Sequence, residues 1–431
     1  MSAVTFRKTS WAILAALTLF AAAGRAAEVT RVVSALDDSN GFDFNLTASW
    51  SHDAKSALIK RESESMLTSG IAPDLKYAQT RDVLNLRADF GILWDVGLHI
   101  EAPLVLSDSN TLNFDQGVTA GTSSFINDQI LPGATGTPQV FKSPTRRGFE
   151  NLGLGINWAV FNQHRDDTKP TWIVGFDAKL DVFKDMRYDP ANPTGNDATG
   201  LGYHQLIAST WVSKRFHHFD PYFGAHYMLP IRTNGSIFQD ENPATQTSVN
   251  PQQQAGVTIG VEQIAWENPR GDQRVTIEAR GHAEEHFAGR GYSELWEPLS
   301  GSPGCTTTGT GTACRPGLDV VDDAQGNPQP SPYPGVTDID AYGSFGGDLG
   351  LNIQVGQYIR FRGLFGFSVD MPHFITDANA GVDTNHDMVV NSMDKAEANP
   401  IYRESIDLPG RRFHVEKTEI WSLLLEGSIM F

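Results

Sequence analysis

The chain has 431 residues, with 51 acidic against 33 basic side chains and a formal charge of -18. Such a balance excludes the basic footprint of a nucleic-acid-binding surface, so no nucleic acid is expected as a partner. It fits a surface or pore that handles cations, and equally a plain solvated acidic surface.

The first residues carry Arg7 and Lys8, then the apolar run "WAILAALTLFAAA" and the small residues Gly24 and Ala26. This is the pattern of a secretory signal peptide, with an apolar stretch too short to span a bilayer. Residues 1–26 are expected to be removed, with a cut after Ala27 as second choice. No later run reaches the roughly 18 apolar residues of a membrane helix. Residues 27–41 read as a short periplasmic segment. Residues 42–431 read as one domain, because one pattern runs through them and no linker divides them.

That pattern is alternation with period two, the mark of a strand with two different faces. "FDFNLTASW" sets Phe42, Phe44, Leu46, Ala48 and Trp50 against Asp43, Asn45, Thr47 and Ser49. The same holds over 83–92, 98–106, 152–160 and 172–182. It continues less cleanly near 204–215, 222–231, 254–265, 274–287, 343–355, 358–369 and 413–431. The reading is about twelve strands. Short turns near Trp94–Asp95, 162–170, 216–221, 266–273 and Gly356–Gln357 alternate with long loops over 53–81, 107–147, 183–202, 232–252, 288–340 and 370–411.

Alternation alone also suits a soluble sandwich. Three features point to a membrane barrel instead. Turn lengths are asymmetric, short on one side and long on the other. Aromatic residues gather beside the short turns: Trp94, Trp158, Phe161, Trp172, Trp211, Phe216, Tyr222, Trp266 and Tyr358, where an interfacial girdle belongs. The polar faces carry Arg87, Asp89, Glu101, Lys179, Glu278, Arg280, Arg360 and Arg362. A dry core could not hold so many charges without a large desolvation cost, whereas a wet lumen can.

The chain ends in "WSLLLEGSIMF", with Trp421, Leu423, Leu425, Ile429 and Phe431 on one alternate set. With these residues it resembles Gram-negative outer-membrane β-barrel proteins of porin-like type, whose last strand ends in an aromatic residue preceded by alternate apolar ones. Gly427 departs from that pattern. The resemblance implies an all-β, antiparallel transmembrane barrel in the outer membrane of a Gram-negative bacterium. It also implies outer-membrane lipid around the barrel and barrel-assembly machinery as a partner during biogenesis.

Three local motifs stand apart. In "DTNHDMVVNSMD", Asp383, Asn385, Asp387, Asn391 and Asp394 occupy positions 1, 3, 5, 9 and 12 of a twelve-residue loop, a spacing that wraps oxygens around one point. It resembles a dockerin-type or EF-hand-type calcium loop, in which the Val389 carbonyl would be a further ligand; Met388 stands where that motif prefers glycine. Calcium is therefore expected as a structural ion. In "RGHAEEH", Arg280, His282, Glu284 and His286 share one strand face; this reads as a charged ladder on the lumen wall before it reads as a transition-metal site. Cys305 and Cys314 form a close pair in a Gly/Thr loop, expected to be a disulfide in an exported chain.

No G-x-S-x-G, G-x-x-x-x-G-K-[ST] or H-E-x-x-H motif occurs. The expectation is a non-enzymatic channel for passive diffusion of small hydrophilic solutes or ions. The inward residues Arg87, Asp89, Glu101, Lys179, Arg280, His282, Glu284, His286, Arg360 and Arg362 would set its selectivity. The alternatives are an outer-membrane enzyme of lipase or protease type, and a structural or adhesive barrel with a plugged lumen.

Overall fold

The structure is a computed structural model. It describes residues 27–33, 43–62, 70–92, 95–127, 139–189, 196–238, 243–268, 273–300, 320–322, 325–330, 333–391 and 393–431. The signal-peptide segment, Trp94 and both cysteines lie outside the described residues.

Twelve antiparallel strands form one closed sheet. In chain order they are β1 Phe44–Glu62, β2 Ile71–Gly91, β3 Val96–Phe114, β4 Leu152–Phe161, β5 Thr171–Leu180 and β6 Tyr203–Ser213. They continue with β7 Phe219–Arg232, β8 Gln254–Glu267, β9 Arg274–His286, β10 Tyr342–Val355, β11 Ile359–Asp370 and β12 Phe413–Met430. Each strand pairs with the next, and β12 closes on β1 from Asn45↔Met430 to Arg61↔Phe413. Closure is what a lipid environment demands, since an open edge would leave backbone groups without partners.

One set of alternate residues on every strand faces outward. Leu86, Ile100, Phe176, Ile259, Leu349 and Leu425 are exposed, although they are apolar. An exposed apolar belt around a closed barrel is a lipid-facing surface, and the protein is a transmembrane barrel of the outer-membrane kind. Trp421, Leu425 and Ile429 of β12, with Phe431 just after it, belong to this belt. Trp158, Phe161, Phe216, Trp266 and Tyr358 lie exposed beside the short turns.

Two girdle assignments are corrected. Tyr222 is buried and its hydroxyl donates to Glu278 Oε1 at 2.6 Å. The Trp211 ring lies 6.4 Å from the Tyr222 ring on the same inner wall. Both fit because the sheet carries glycine beneath them: a Cβ on Gly224 or Gly260 would come within 2.3 Å of one of these rings.

The expected loops 53–81 and 107–147 are shorter than their sequence suggests. β1, β2 and β3 have 19, 21 and 19 residues, about twice the 9–11 that a tilted strand needs to cross a bilayer. Their upper halves stand beyond the lipid, where the alternation inverts. Ala57, Ile59, Leu75, Tyr77 and Leu112 point inward and are buried, together with Phe413 and Val415 of β12. Against them pack loop residues Phe125, Phe141, Leu295, Leu299, Ile375 and Ile406. The extracellular mouth therefore contains an apolar core built from the loops, and the short helix Trp296–Leu299 of the 287–341 connection lies within it.

Candidate functional site: the lumen and its two seals

Between the mouths the inner wall is ionic. On β2 and β3, Arg87 lies 2.7 Å from Asp89 and 4.0 Å from Glu101. Lys179 of β5 approaches Glu101 at 3.9 Å, and His99 Nε2 lies 2.6 Å from Asp177. On the opposite wall Arg280 pairs with Asp348 at 2.8 Å, and His282 lies 3.3 Å from the same carboxylate. Glu284 sits between His226, at 3.6 Å, and His286, at 3.3 Å. Arg362 reaches Glu278 at 2.9 Å, and Arg360 reaches Glu426 at 3.3 Å. All ten inward residues anticipated from alternation lie on the lumen wall, in ion pairs that run along a strand, to the adjacent strand or to the next but one.

The periplasmic mouth holds a segment that alternation could not reveal. Residues 27–33 lie across the inside of the barrel. The Glu28 backbone N–H donates to Glu262 Oε1 at 2.9 Å, and the Glu28 carboxylate pairs with Arg274 at 3.1 Å and with Arg360. Thr30 Oγ1 lies 2.6 Å from Ser213 Oγ. The Val33 carbonyl oxygen stands 3.2 Å from the position of a Cβ on Gly97. These contacts tie the segment to β3, β6, β8, β9 and β11. The expected periplasmic segment is, over its described part, a plug inside the barrel.

The extracellular mouth is fastened by buried charge as well as by apolar packing. Arg146 Nη2 donates to Glu297 Oε1 at 2.6 Å, and Asn110 Nδ2 donates to Glu297 Oε2 at 2.8 Å. The Arg146 guanidinium also lies 4.8 Å over the Trp296 ring. Burial pushes the Glu297 carboxyl up, against the Arg146 charge and the hydrogen bonds that pull it down. Lys55 Nζ lies 2.8 Å from Glu294 and 3.6 Å from Asp370. Beside them His286, Tyr342 and His373 form a parallel stack, with centroids 4.4 and 3.8 Å apart.

The 383–394 loop is exposed above this mouth. Asp383 Oδ1 accepts from the His386 and Asp387 N–H groups at 2.7 and 3.2 Å, and Oδ2 accepts from Met388 N–H at 2.8 Å. Asn385, Asp387, Asn391 and Asp394 likewise accept from backbone N–H groups two residues on. Met388 has φ 68°, the left-handed turn for which a calcium loop uses glycine. Among the described residues, no group of three or more His, Cys, Asp or Glu side chains is placed to hold a metal ion. That holds for Asp383, Asp387 and Asp394 and for the His282–His286 ladder.

Outside the barrel, His52 Nδ1 lies 2.9 Å from Asp82 Oδ1. Across the sheet the order is Leu423, His52, Asp82 and Ser107. The acid therefore stands between the histidine and the serine, whereas a hydrolytic triad needs the histidine in the middle.

No family model matches the chain. No curated protein matches it either. Among solved structures it is similar to an outer-membrane channel from Pseudomonas putida F1, at 8% identity and a TM-score of 0.39, over 90% of this chain and 96% of that one. It is also similar to a Pseudomonas aeruginosa FadL homologue, at 9% identity and a TM-score of 0.29, over 90% of each chain. The outer-membrane protease OmpT from Escherichia coli follows at 6% identity and a TM-score of 0.27, over 92% and 99%. Likenesses this weak decide neither fold nor function, which rest on the geometry of the barrel itself.

Proposed function

We propose that the protein is an outer-membrane channel for passive diffusion of small hydrophilic solutes or ions, held closed in this conformation by its two seals. One observation carries the reading. The inner wall bears charged side chains from Arg360 and Glu278 at the periplasmic end to Lys55 and Arg81 at the extracellular end. A charged inner wall supports a hydrated path that the two seals interrupt, and its charged residues are proposed to set selectivity. The Phe431-terminated β12 is proposed as the segment that the barrel-assembly machinery handles.

Single-channel recording in planar bilayers tests this. Wild-type protein is expected to show small, intermittent conductance, and a variant lacking 27–33 a larger and steadier one. Silence from both would remove the channel reading. The filled mouths equally favour a second reading, a structural or adhesive surface barrel, and that reading takes over if both proteins are silent. The lipase- or protease-like alternative has only the His52–Asp82 pair in its favour, and the strand order speaks against it.

A further inference from the structure

A furrow of about 980 Å³ crosses the lipid-facing side of the barrel. It runs from Lys214 and Pro221, beside the short turn that follows β6, to Phe365 and Phe367 on β11. We propose that it holds one phospholipid of the periplasmic leaflet, with an acyl chain along the furrow and the phosphate at Lys214. The proposal does not depend on the channel reading.

Two facing glycines make its floor. Ile259 stands opposite Gly281, Gly281 opposite Gly347, and Gly347 opposite Phe367, so one row across four strands lacks its two central side chains. The inward Gly224 and Gly260 make room for rings, but these two make room for nothing in the fold. A Cβ on Gly281 would meet only the Gly346 carbonyl oxygen, at 3.7 Å, and one on Gly347 only the Arg280 carbonyl oxygen, at 3.3 Å. Neither glycine has a positive φ. Glycine within a strand costs order and packing, and it often marks a place where a ligand or another chain comes close. Ala279 continues the floor, with Leu349 opposite it as a wall. Ile259 and Leu349 are 68% and 64% exposed, because the glycines leave their flanks bare. An acyl chain lying there touches the floor and both walls, and so gains more dispersion contact than on the rest of the belt.

Lys214 selects the kind of chain. Its Nζ donates to the Thr168 carbonyl oxygen at 2.7 Å and forms no ion pair among the described residues, whereas the adjacent Arg215 is spent on Glu267 at 2.6 Å. Phe216, two residues on, is exposed in the aromatic girdle, which puts Lys214 at headgroup depth. A cation at that depth attracts a lipid phosphate. A second copy of the chain would cover the glycines equally well, but it offers no reason for an unpaired cation at the end of the furrow.

The test uses the full-length barrel, purified and stripped of lipid in detergent. Phosphatidylglycerol is added, and native mass spectrometry counts the lipid retained per barrel. A phosphatidylglycerol with a photoreactive group on its acyl chain maps the contacts. One retained lipid is expected, with cross-links concentrated at 279–281 and 347–349. Gly281→Leu, which fills the floor from the lipid side, should abolish retention, and Lys214→Gln should weaken it about fivefold. Heat-modifiable migration checks that both variants remain folded; if Gly281→Leu does not fold, Lys214→Gln and the cross-link map decide. Cross-links spread evenly around the belt, or equal retention by wild type and either folded variant, would overturn the proposal. So would a wild-type dimer that Gly281→Leu converts to a monomer, since the furrow would then be an interface between copies.

Discussion

Arg146 Nη2 reaches Glu297 Oε1 at 2.6 Å inside the extracellular mouth, with the two side chains 4% and 1% exposed. Arg146 comes from the connection between β3 and β4, and Glu297 from the one between β9 and β10. The pair therefore fastens the longest loop to the opposite side of the barrel. Glu297→Ala leaves the guanidinium buried without a carboxylate, a loss expected to destabilise the seal by about 3–5 kcal/mol. The 287–300 segment should become sensitive to protease added outside the cell, and conductance should rise. Replacing both partners with apolar residues of similar volume is expected to restore much of the lost stability. Equal protection of wild type and Glu297→Ala would show that the apolar packing alone holds the loop.

At the other end, Glu28 is the pin. Glu28→Ala leaves Arg274 without the carboxylate it meets at 3.1 Å, and it leaves Arg360 with Glu426 and the Ser428 hydroxyl, each at 3.3 Å. The expected result is release of 27–33 from the periplasmic mouth and higher open probability in bilayers, without loss of the barrel. The last point follows from the strand ladders, which do not involve Glu28. Heat-modifiable migration on gels checks that the barrel remains folded. Unchanged gating in a folded variant would mean that the plug does not gate.

The lipid-crossing part of this fold was legible in the sequence, and the seals were not, for one physical reason. Leu84, Leu86 and Phe90 alternate with Asn85, Arg87 and Asp89 because lipid lies on one side and a wet lumen on the other. In the upper half of the same β2 strand, Leu75 and Tyr77 point inward, because there the inside is dry and the outside is water. The inversion breaks the pattern in the middle of a strand, so 53–81 read as a loop although most of it is sheet. By residue type Trp211 belongs to the girdle; its register opposite Gly224 puts it on the inner wall instead. Glu28 and Glu297 lie outside the barrel strands and carry no periodic signal at all, so their partners could not be named. Glu262, by contrast, stands on the inward set of β8 beside Asp220 and Glu278, and alternation could have found it.

Stability of the extracellular loops should depend on pH through Asp407. Burial pushes its carboxyl up to about 7, although the N–H groups of Arg403 and Ala378 pull it down. An unfolded aspartate titrates near 3.9. Between about pH 4 and 7 the folded loop keeps a proton that the unfolded loop has lost, so its stability falls as pH rises through that window. The effect is on the order of a few kcal/mol. Limited proteolysis of 371–412 is expected to be slower at pH 5 than at pH 8. Asp407→Asn, which carries no charge at either pH, should flatten the difference. A flat profile in wild type would show that the carboxyl is not held protonated.

Calcium at 383–394 gives the last prediction. The oxygen donors are of the right kind, yet they are now turned to the backbone N–H groups of their own loop, and the three carboxylates do not converge. An ion would have to draw Asp387 and Asp394 toward Asp383, trading existing hydrogen bonds for coordination. Affinity is therefore expected at the weak end of extracellular calcium modules, about 10⁻³ M. Met388 adds to the cost. Its left-handed φ of 68° strains a residue with a Cβ by roughly 1–2 kcal/mol, and glycine would carry no such strain. Met388→Gly should thus stabilise the turn and tighten calcium several-fold, while Asp383→Ala should abolish binding and the protection of 371–412 from protease. Calorimetry at millimolar calcium decides. If neither wild type nor Met388→Gly gives a heat of binding, the spacing of these acids is a coincidence, and the loop is held by its own backbone hydrogen bonds alone.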